Sequence, residues 1–276
     1  MKIIKKILKF LINSIIIILI CSLLLSITGK KVFYDLLYSN VFKPVMVEET
    51  TKLTDTKIDK EKIDKIFNNE ETEELVNEFI ERTMNDLSSD KESNVNIADE
   101  FLKYIKNNRA TFEKELGITI TDEQLEQIKE SPEYKELANS YTKSIKQSKS
   151  KMTPKERKVV KVYNQLISNN FKVIVISIIV FLTVLIALLN NDLYSWLKDS
   201  SINLITSGIM VLLTSLIVQV IVNTTIKDLN IKFSTKPLTN SSLITIGVGI
   251  VTLIIYLIIN KIVKKPKLKE NYVINN

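Results

Sequence analysis

Histidine is absent from this 276-residue chain, and cysteine occurs only once, as Cys21. Without histidine, the chain lacks the side chain that most often serves as a general base or a metal ligand. A single cysteine excludes an intrachain disulfide bond and a cysteine-based zinc site. Because Cys21 lies inside an apolar run, we interpret it as a small lipid-compatible side chain rather than a reactive thiol. We expect no cofactor and no bound metal.

Motifs that carry catalysis are also missing. The chain has no Gly-rich phosphate loop, no Gly-x-Ser-x-Gly sequence and no His-Glu-x-x-His sequence. The glutamates crowded between Glu70 and Glu81 lack the oxygen-rich loop that calcium sites use, so we interpret them as a solvated helix face. We therefore predict that the protein is not an enzyme.

Glycine and proline are scarce in the charged segment 30–170, which predicts helices rather than hairpins. Gly117 is its single glycine, and its prolines are Pro44, Pro132 and Pro154. Apolar residues there recur at the spacing of a helix. One stripe consists of Leu75, Phe79, Ile80, Met84 and Leu87, and a second of Ala98, Leu102, Ile105, Phe112 and Leu116. We predict a bundle of four or five helices, with a weaker helix at 52–69.

Several positions in this segment carry the residues of helix ends. A hydroxyl residue followed by proline, or by Gln or Glu three positions later, is typical of a helix start. Such starts are Thr121 with Gln124, Ser131 with Pro132, and Thr153 with Pro154 and Glu156. Gly117 is a predicted helix stop. The last helix of the segment is expected to lead directly into the apolar run that follows it, with Ser-Asn-Asn at 168–170 as the expected kink.

Four long apolar runs are the strongest positive signal in the chain. They lie at 7–28, 171–189, 204–222 and 243–263. A helix of about 20 residues crosses a hydrocarbon layer of about 30 Å. The sequence thus predicts an all-α membrane protein with four transmembrane helices, one and then three, and a helical-bundle domain inserted between the first two. We interpret the first run as an uncleaved signal-anchor, since it is long and no small-x-small cleavage site follows it.

Charge predicts how the chain crosses the membrane. Segment 30–170 has 24 basic and 27 acidic residues, whereas the rest has 14 and 4. Lysines flank the outer ends of the first and last runs, and such residues are retained in the cytoplasm. The predicted order is a cytoplasmic N-terminus at 1–6, spans at 7–28, 171–189, 204–222 and 243–263, an extracytoplasmic domain at 29–170, an inner loop at 190–203, an outer loop at 223–242 and a cytoplasmic tail at 264–276. The expected location is the plasma membrane.

One basic stretch, which precedes the second run, has two interpretations. It consists of Lys143, Lys146, Lys149, Lys151, Lys155, Arg157, Lys158 and Lys161. These cations either form a solvated face that attracts the acidic first half of the domain, or lie against anionic headgroups. The excess of basic residues that gives the chain its high isoelectric point lies beside the spans, where such residues set the membrane topology. We therefore expect no nucleic-acid partner.

The last two spans carry small and weakly polar side chains at helical spacing. Small residues let membrane helices approach closely, and polar ones add hydrogen bonds. The candidate helix-packing residues are Gly208, Ser215, Gln219, Thr245, Gly249 and Thr252. In an antiparallel pair joined by the outer loop, we expect Ser215 near Gly249 and Gln219 near Thr245. A polar pathway for a ligand is the alternative interpretation.

Three functional hypotheses remain open from the sequence. The first is a non-enzymatic envelope protein, whose outer domain binds or positions a partner in the membrane or envelope, with the lipid bilayer as its anchor. The second is a subunit of an ATPase-driven transport or cell-wall-remodelling complex, based on its layout of one span, an outer domain and three more spans. The third is a helical ligand sensor that signals through a membrane partner. The ligand, the partner and the oligomeric state do not follow from the sequence.

Overall fold

The computed structural model describes residues 2–42, 62, 65–66, 70–89, 96–117, 119–190, 192, 194–225 and 233–264. These residues are helical apart from turns and short connections, with no strand among them. The helices are α1 (Lys2–Leu37), α2 (Glu70–Ser88), α3 (Ile97–Asn107), α4 (Arg109–Leu116), α5 (Asp122–Glu130), α6 (Pro132–Lys151), α7 (Pro154–Ile167), α8 (Asn169–Leu189), α9 (Ser195–Thr225) and α10 (Lys236–Lys264). One π-helical turn, Tyr38–Phe42, follows α1.

Four of these helices are long and apolar enough to cross a membrane. They are α1, α8, α9 and α10, with mean hydropathies of 2.8, 3.0, 2.3 and 2.6 in their most apolar windows. This confirms the predicted all-helical class and the presence of four helices long and apolar enough to span a membrane. Two of the helices are longer than the apolar runs that predict them: α9 begins at Ser195 instead of Leu204, and α10 begins at Lys236 instead of Leu243. Residues predicted to lie in loops therefore belong to helices.

The chain divides into two compact units. Unit 1 is Met1–Phe33 with Leu166–Asn276, and unit 2 is Tyr34–Gln165. Unit 1 contains the four apolar helices over most of their length, and unit 2 contains α2 to α7. Two expected features, the helix at 52–69 and the tail after Lys264, fall almost wholly outside the described residues.

Local side-chain chemistry sets the helix ends of unit 2 as expected. Thr121 and Gln124 form a complete capping box at the start of α5. The Ser131 hydroxyl accepts a hydrogen bond from the Tyr134 N–H at 3.1 Å, with Pro132 as the first residue of α6. Gly117 ends α4 with a left-handed φ of 70°, which glycine adopts without steric cost. The predicted caps and stop are confirmed.

The start of α7 has its own reciprocal cap. The Thr153 N–H and hydroxyl donate to the Glu156 carboxylate at 2.7 and 2.8 Å, and the Glu156 N–H donates back to the hydroxyl at 3.3 Å. These two bonds from Thr153, the one from its backbone N–H more than the one from its hydroxyl, lower the pKa of Glu156 below its ordinary value. The helix ends at Ile167, and Ser168 caps α8 through the Phe171 N–H at 3.2 Å. The chain is interrupted at the predicted position, but by the end of one helix and the capped start of another rather than by a kink in a continuous helix.

Unit 2 has a small apolar core at four-residue spacing. Its buried members include Val76 and Ile80 of α2, Ala98 and Leu102 of α3, and Tyr141 and Ile145 of α6. Spacing of four residues places each pair on one helix face. The predicted stripe on α2 is displaced, since Ile80 is buried whereas Leu75 and Phe79 are only half-buried. The expected single helix across 98–116 is divided at Asn108 into α3 and α4.

Unit 1 has an isoleucine cluster where α1 meets α8. Ile12, Ile16 and Ile20 recur every four residues on α1 and pack with Ile186 of α8. Their exposed fractions are 7%, 2%, 8% and 1%. Most other large apolar side chains of these helices are exposed, as expected for surfaces that face lipid.

Candidate functional site

The closest approach within unit 1 is between α9 and α10, at two glycines. A Cβ atom added at Gly208 would lie 2.6 Å from Cγ1 of Ile246 and 2.9 Å from the Ser242 carbonyl oxygen. One added at Gly249 would lie 2.7 Å from Cγ1 of Ile205 and 3.0 Å from the Ile205 backbone nitrogen. At each glycine the shortest of these distances is below any that a real Cβ atom adopts. The absence of a side chain at each position therefore permits backbone-to-backbone packing.

Hydrogen bonds join the same two helices beyond Gly208. The hydroxyls of Ser215 and Thr239 are 2.9 Å apart, and Ser215 is fully buried. The Gln219 side-chain oxygen accepts from the Thr235 N–H at 3.1 Å and from its hydroxyl at 3.0 Å. Thr235 immediately precedes α10, so Gln219 satisfies a backbone donor at the start of that helix.

The expected register of this pair is wrong. Ser215 lies against Thr239 rather than near Gly249, and Gln219 lies against Thr235 rather than near Thr245. The error has a physical cause. The apolar runs end before the helices do, so a loop drawn at 223–242 is too long, because α9 continues to Thr225 and α10 starts at Lys236.

The two remaining candidates do not reach α9 by hydrogen bonds. The Thr245 hydroxyl donates to the Ser241 carbonyl at 2.8 Å, and the Thr252 hydroxyl donates to the Val248 carbonyl at 2.8 Å. Both bonds return to α10 itself, which is how threonine satisfies its hydroxyl within a helix. The structure thus brings Gly208, Ser215, Gln219 and Gly249 to the α9–α10 contact, with Thr245 and Thr252 bonded along their own helix.

A second polar contact of unit 1 joins α1 to the beginning of α9. The Lys9 ammonium is 2.6 Å from the Asp199 carboxylate, and it also donates to the Asn190 side-chain oxygen at 2.8 Å. Asn190 in turn donates to Asp199 at 3.1 Å. The Asp199 side chain is 11% exposed and that of Lys9 is 31% exposed. A buried carboxylate is costly without a partner, and here it has two.

The contact between α1 and α9 continues as a polar stripe. Asn203 donates to the Asn13 side-chain oxygen at 2.8 Å, and the Ser207 hydroxyl lies 3.4 Å from the Ile17 carbonyl. The Cys21 thiol points to the Ser207 carbonyl at 3.7 Å. The bonded positions rise together along both helices, so α1 and α9 run parallel.

This stripe is not among the predictions from the sequence, although the residues carry a signal for it. Asp199, Asn203 and Ser207 recur every four residues, as do Lys9 and Asn13. The expected inner loop at 190–203 included Asp199 and Asn203, where polar side chains need no partner. In the structure both residues lie in α9 and are buried, with exposed fractions of 8% and 2%.

Unit 2 has a cavity of about 260 Å³ at the end of α2 and the start of α7. The residues that line it are Leu87, Ser88, Ser89, Lys149, Arg157, Lys158 and Lys161. Four of these seven are cations and none is acidic. The cations belong to the basic stretch that precedes the second span, and the structure gathers half of that stretch around one concavity.

Comparisons with known proteins identify no relatives. Neither a protein-family model, nor a curated protein, nor a solved structure matches this chain. Its function is therefore inferred from its own helices and contacts.

Replacing Gly249 by alanine should loosen the α9–α10 pair. The new methyl group would meet the Ile205 backbone, so the helices must separate, at a cost of about 1–3 kcal/mol. Gly247→Ala is the matched control, since a Cβ there meets nothing within 4 Å. Thermal unfolding of the full chain in detergent measures both variants. Equal melting temperatures for the two would contradict the close contact.

Replacing Asp199 by asparagine should destabilise unit 1, because it leaves the Lys9 ammonium without its carboxylate. We expect a loss of about 1–2 kcal/mol, less than for a fully buried pair, since Lys9 can extend toward water. Asp192→Asn, which replaces an exposed acid just before α9, should change stability by less than about 0.5 kcal/mol. The double variant Lys9→Gln with Asp199→Asn should recover most of the loss. Strictly additive effects of the two substitutions in denaturant unfolding would argue against the pair.

Proposed function

We propose that this chain is a non-enzymatic membrane protein of the cell envelope, whose unit 2 lies outside the cytoplasm and binds or positions a partner there. The observation that carries the proposal is the separate compact unit Tyr34–Gln165, inserted between the first and second of four apolar helices. It has its own buried core and a cation-lined cavity. The described connection between α8 and α9 is short by comparison, running only from Asn190 to Tyr194.

The directions of the helices in unit 1 support the proposed topology. The polar stripe makes α1 and α9 parallel, and the α9–α10 bonds pair these two helices in opposite directions. A chain with this arrangement has the start of α1 and the end of α10 at the same level. Lysines flank both of these ends, which favours a cytoplasmic location for them.

Cysteine labelling tests the topology. In a Cys21→Ala background, Lys135→Cys places an exposed thiol on α6 and Lys5→Cys places one at the start of α1. A membrane-impermeant maleimide should label the first in intact cells, and the second only after the membrane is permeabilised. Labelling in the reverse order would place unit 2 in the cytoplasm and overturn the proposal.

Site-specific photocrosslinking tests partner binding. A photoreactive residue at Val159 of α7 reports on unit 2, and one at Phe181 of α8 reports on the lipid-facing surface; both side chains are 62% exposed. We expect a discrete protein adduct from the probe at Val159. A second probe at Ile128 of α5 should give an adduct with the same protein. Adducts from Phe181 alone would move the contact to the spans, as the transport-complex hypothesis requires. Absence of any adduct from unit 2 would refute its role as the binding part.

A further inference from the structure

We propose that the cavity of unit 2 binds a phosphate-bearing group. The proposal rests on the proposed function in one respect, in that unit 2 is the part of the chain that binds a ligand. It adds the chemistry of that ligand. The group is a phosphate monoester that belongs either to a lipid headgroup or to a soluble compound, and both present the same three terminal oxygens to the protein.

The cavity lies where three helices meet. Leu87, Ser88 and Ser89 come from the carboxyl end of α2, Lys149 comes from the end of α6, and the remaining cations come from α7. On α7, Lys161 lies four residues after Arg157 and three after Lys158, which places it beside both on one face of the helix, and all three line the concavity. Its volume of about 260 Å³ exceeds the share of one water molecule, about 30 Å³, several-fold.

Hydrogen bonds hold these walls together. The Asn164 amide on α7 donates to the Met84 carbonyl at 2.7 Å and to the Ser88 hydroxyl at 2.9 Å, both at the end of α2. The Arg157 guanidinium donates to the Lys149 carbonyl, which ties α7 to the end of α6. These bonds fix the positions of α2, α6 and α7 around the concavity, so a ligand has to order only the side chains of the exposed lysines.

The positive charge at this cavity exceeds what the protein itself neutralises. Two helix carboxyl ends, those of α2 and α6, contribute roughly half a negative charge each, or about one in total. Arg157, Lys158 and Lys161 alone contribute three positive charges. Within the described part of the chain, neither Lys158 nor Lys161 has a carboxylate within ion-pair distance. A surplus of about two charges remains.

A phosphate group matches this surplus better than a carboxylate does. A phosphate monoester has a charge between about −1.5 and −2 at neutral pH. It has three or more oxygens arranged around one centre, which can accept bonds from donors that converge from different sides. The planar fork of Arg157 and the ammonium groups of Lys158 and Lys161 are donors of this kind. A carboxylate has one plane and a single charge.

Calorimetric titration of the full chain in nonionic detergent tests the site. The probes are glycerol 1-phosphate, as a soluble phosphate monoester, and phosphatidic acid in mixed micelles, as a lipid phosphate monoester, with zwitterionic phosphatidylcholine as the lipid control. We expect phosphatidic acid to bind and phosphatidylcholine to bind at least about tenfold more weakly. Binding of glycerol 1-phosphate as well would assign recognition to the phosphate alone, whereas binding of the lipid only would identify the headgroup at a surface as the source.

Two double variants with equal charge separate the cavity from general attraction. Lys158→Gln with Lys161→Gln removes two lining charges, and Lys143→Gln with Lys155→Gln removes two exposed charges from the same helices, α6 and α7, outside the lining. Gln and Lys have similar helix propensities, so both variants should fold, which circular dichroism checks. We expect the first to weaken binding about tenfold and the second to change it less than twofold.

Equal losses in the two double variants would overturn the site, and so would the absence of binding by the unaltered chain to either phosphate probe. Neither result would affect the crosslinking test at Val159 and Ile128, which reports on a protein partner. The two proposals can therefore fail separately.

Discussion

The close contact of α9 with α10 constrains the remainder of unit 1. At Gly208 and Gly249 the two backbones approach until no side chain fits between them. Lipid gives apolar helices no hydrophobic reason to associate, so such contacts and the hydrogen bonds beside them supply the attraction. The bonds between Ser215 and Thr239 and between Gln219 and Thr235 fall in the same register as the glycines. One register therefore satisfies the packing and the polar groups together.

The same helix, α9, also positions α1. A polar group without a partner in hydrocarbon costs several kcal/mol, so the stripe of Asp199, Asn203 and Ser207 requires bonding partners. Lys9 and Asn13 supply them for Asp199 and Asn203 at matching heights, while the Ser207 hydroxyl donates to the Asn203 carbonyl of its own helix and lies 3.4 Å from the Ile17 carbonyl. Sliding or rotating α1 by one turn would break all these bonds at once. The ion pair thus contributes more to specifying the arrangement of the helices than to their net stability.

How much of the fold follows from the sequence depends on how local its causes are. Caps such as Thr121 with Gln124, and the stop at Gly117, act within one helical turn, and both are read directly from the residues. The spans follow from composition over about 20 residues. The register between α9 and α10 does not follow from composition, because it depends on where the two helices begin and end. Polar residues extend both helices beyond their apolar runs.

The functional residues divide in the same way. Gly208 and Gly249 were identified because small residues in apolar helices have few other reasons to recur. Asp199 was assigned to a loop, since a charge beside a span usually faces water, and only the presence of Lys9 at the same height makes its burial possible. The sequence shows the basic stretch of unit 2 but not the cavity, because the cavity is lined by residues 60 or more positions apart, such as Ser88 and Lys149.

The arrangement of charges in unit 2 itself separates structural cations from those available to a ligand. Arg82 faces Glu100 at 2.9 Å, and Arg109 faces Asp122, so each of these arginines stabilises the fold through a carboxylate. Ion pairing of this kind would also relieve the repulsion among the cations of α7. Lys158 and Lys161 have no such partner among the described residues, and they line a cavity beside the point where Asn164 joins α7 to α2. Charges kept close together without carboxylates raise the energy of the empty domain, and that energy is recovered when an anion enters.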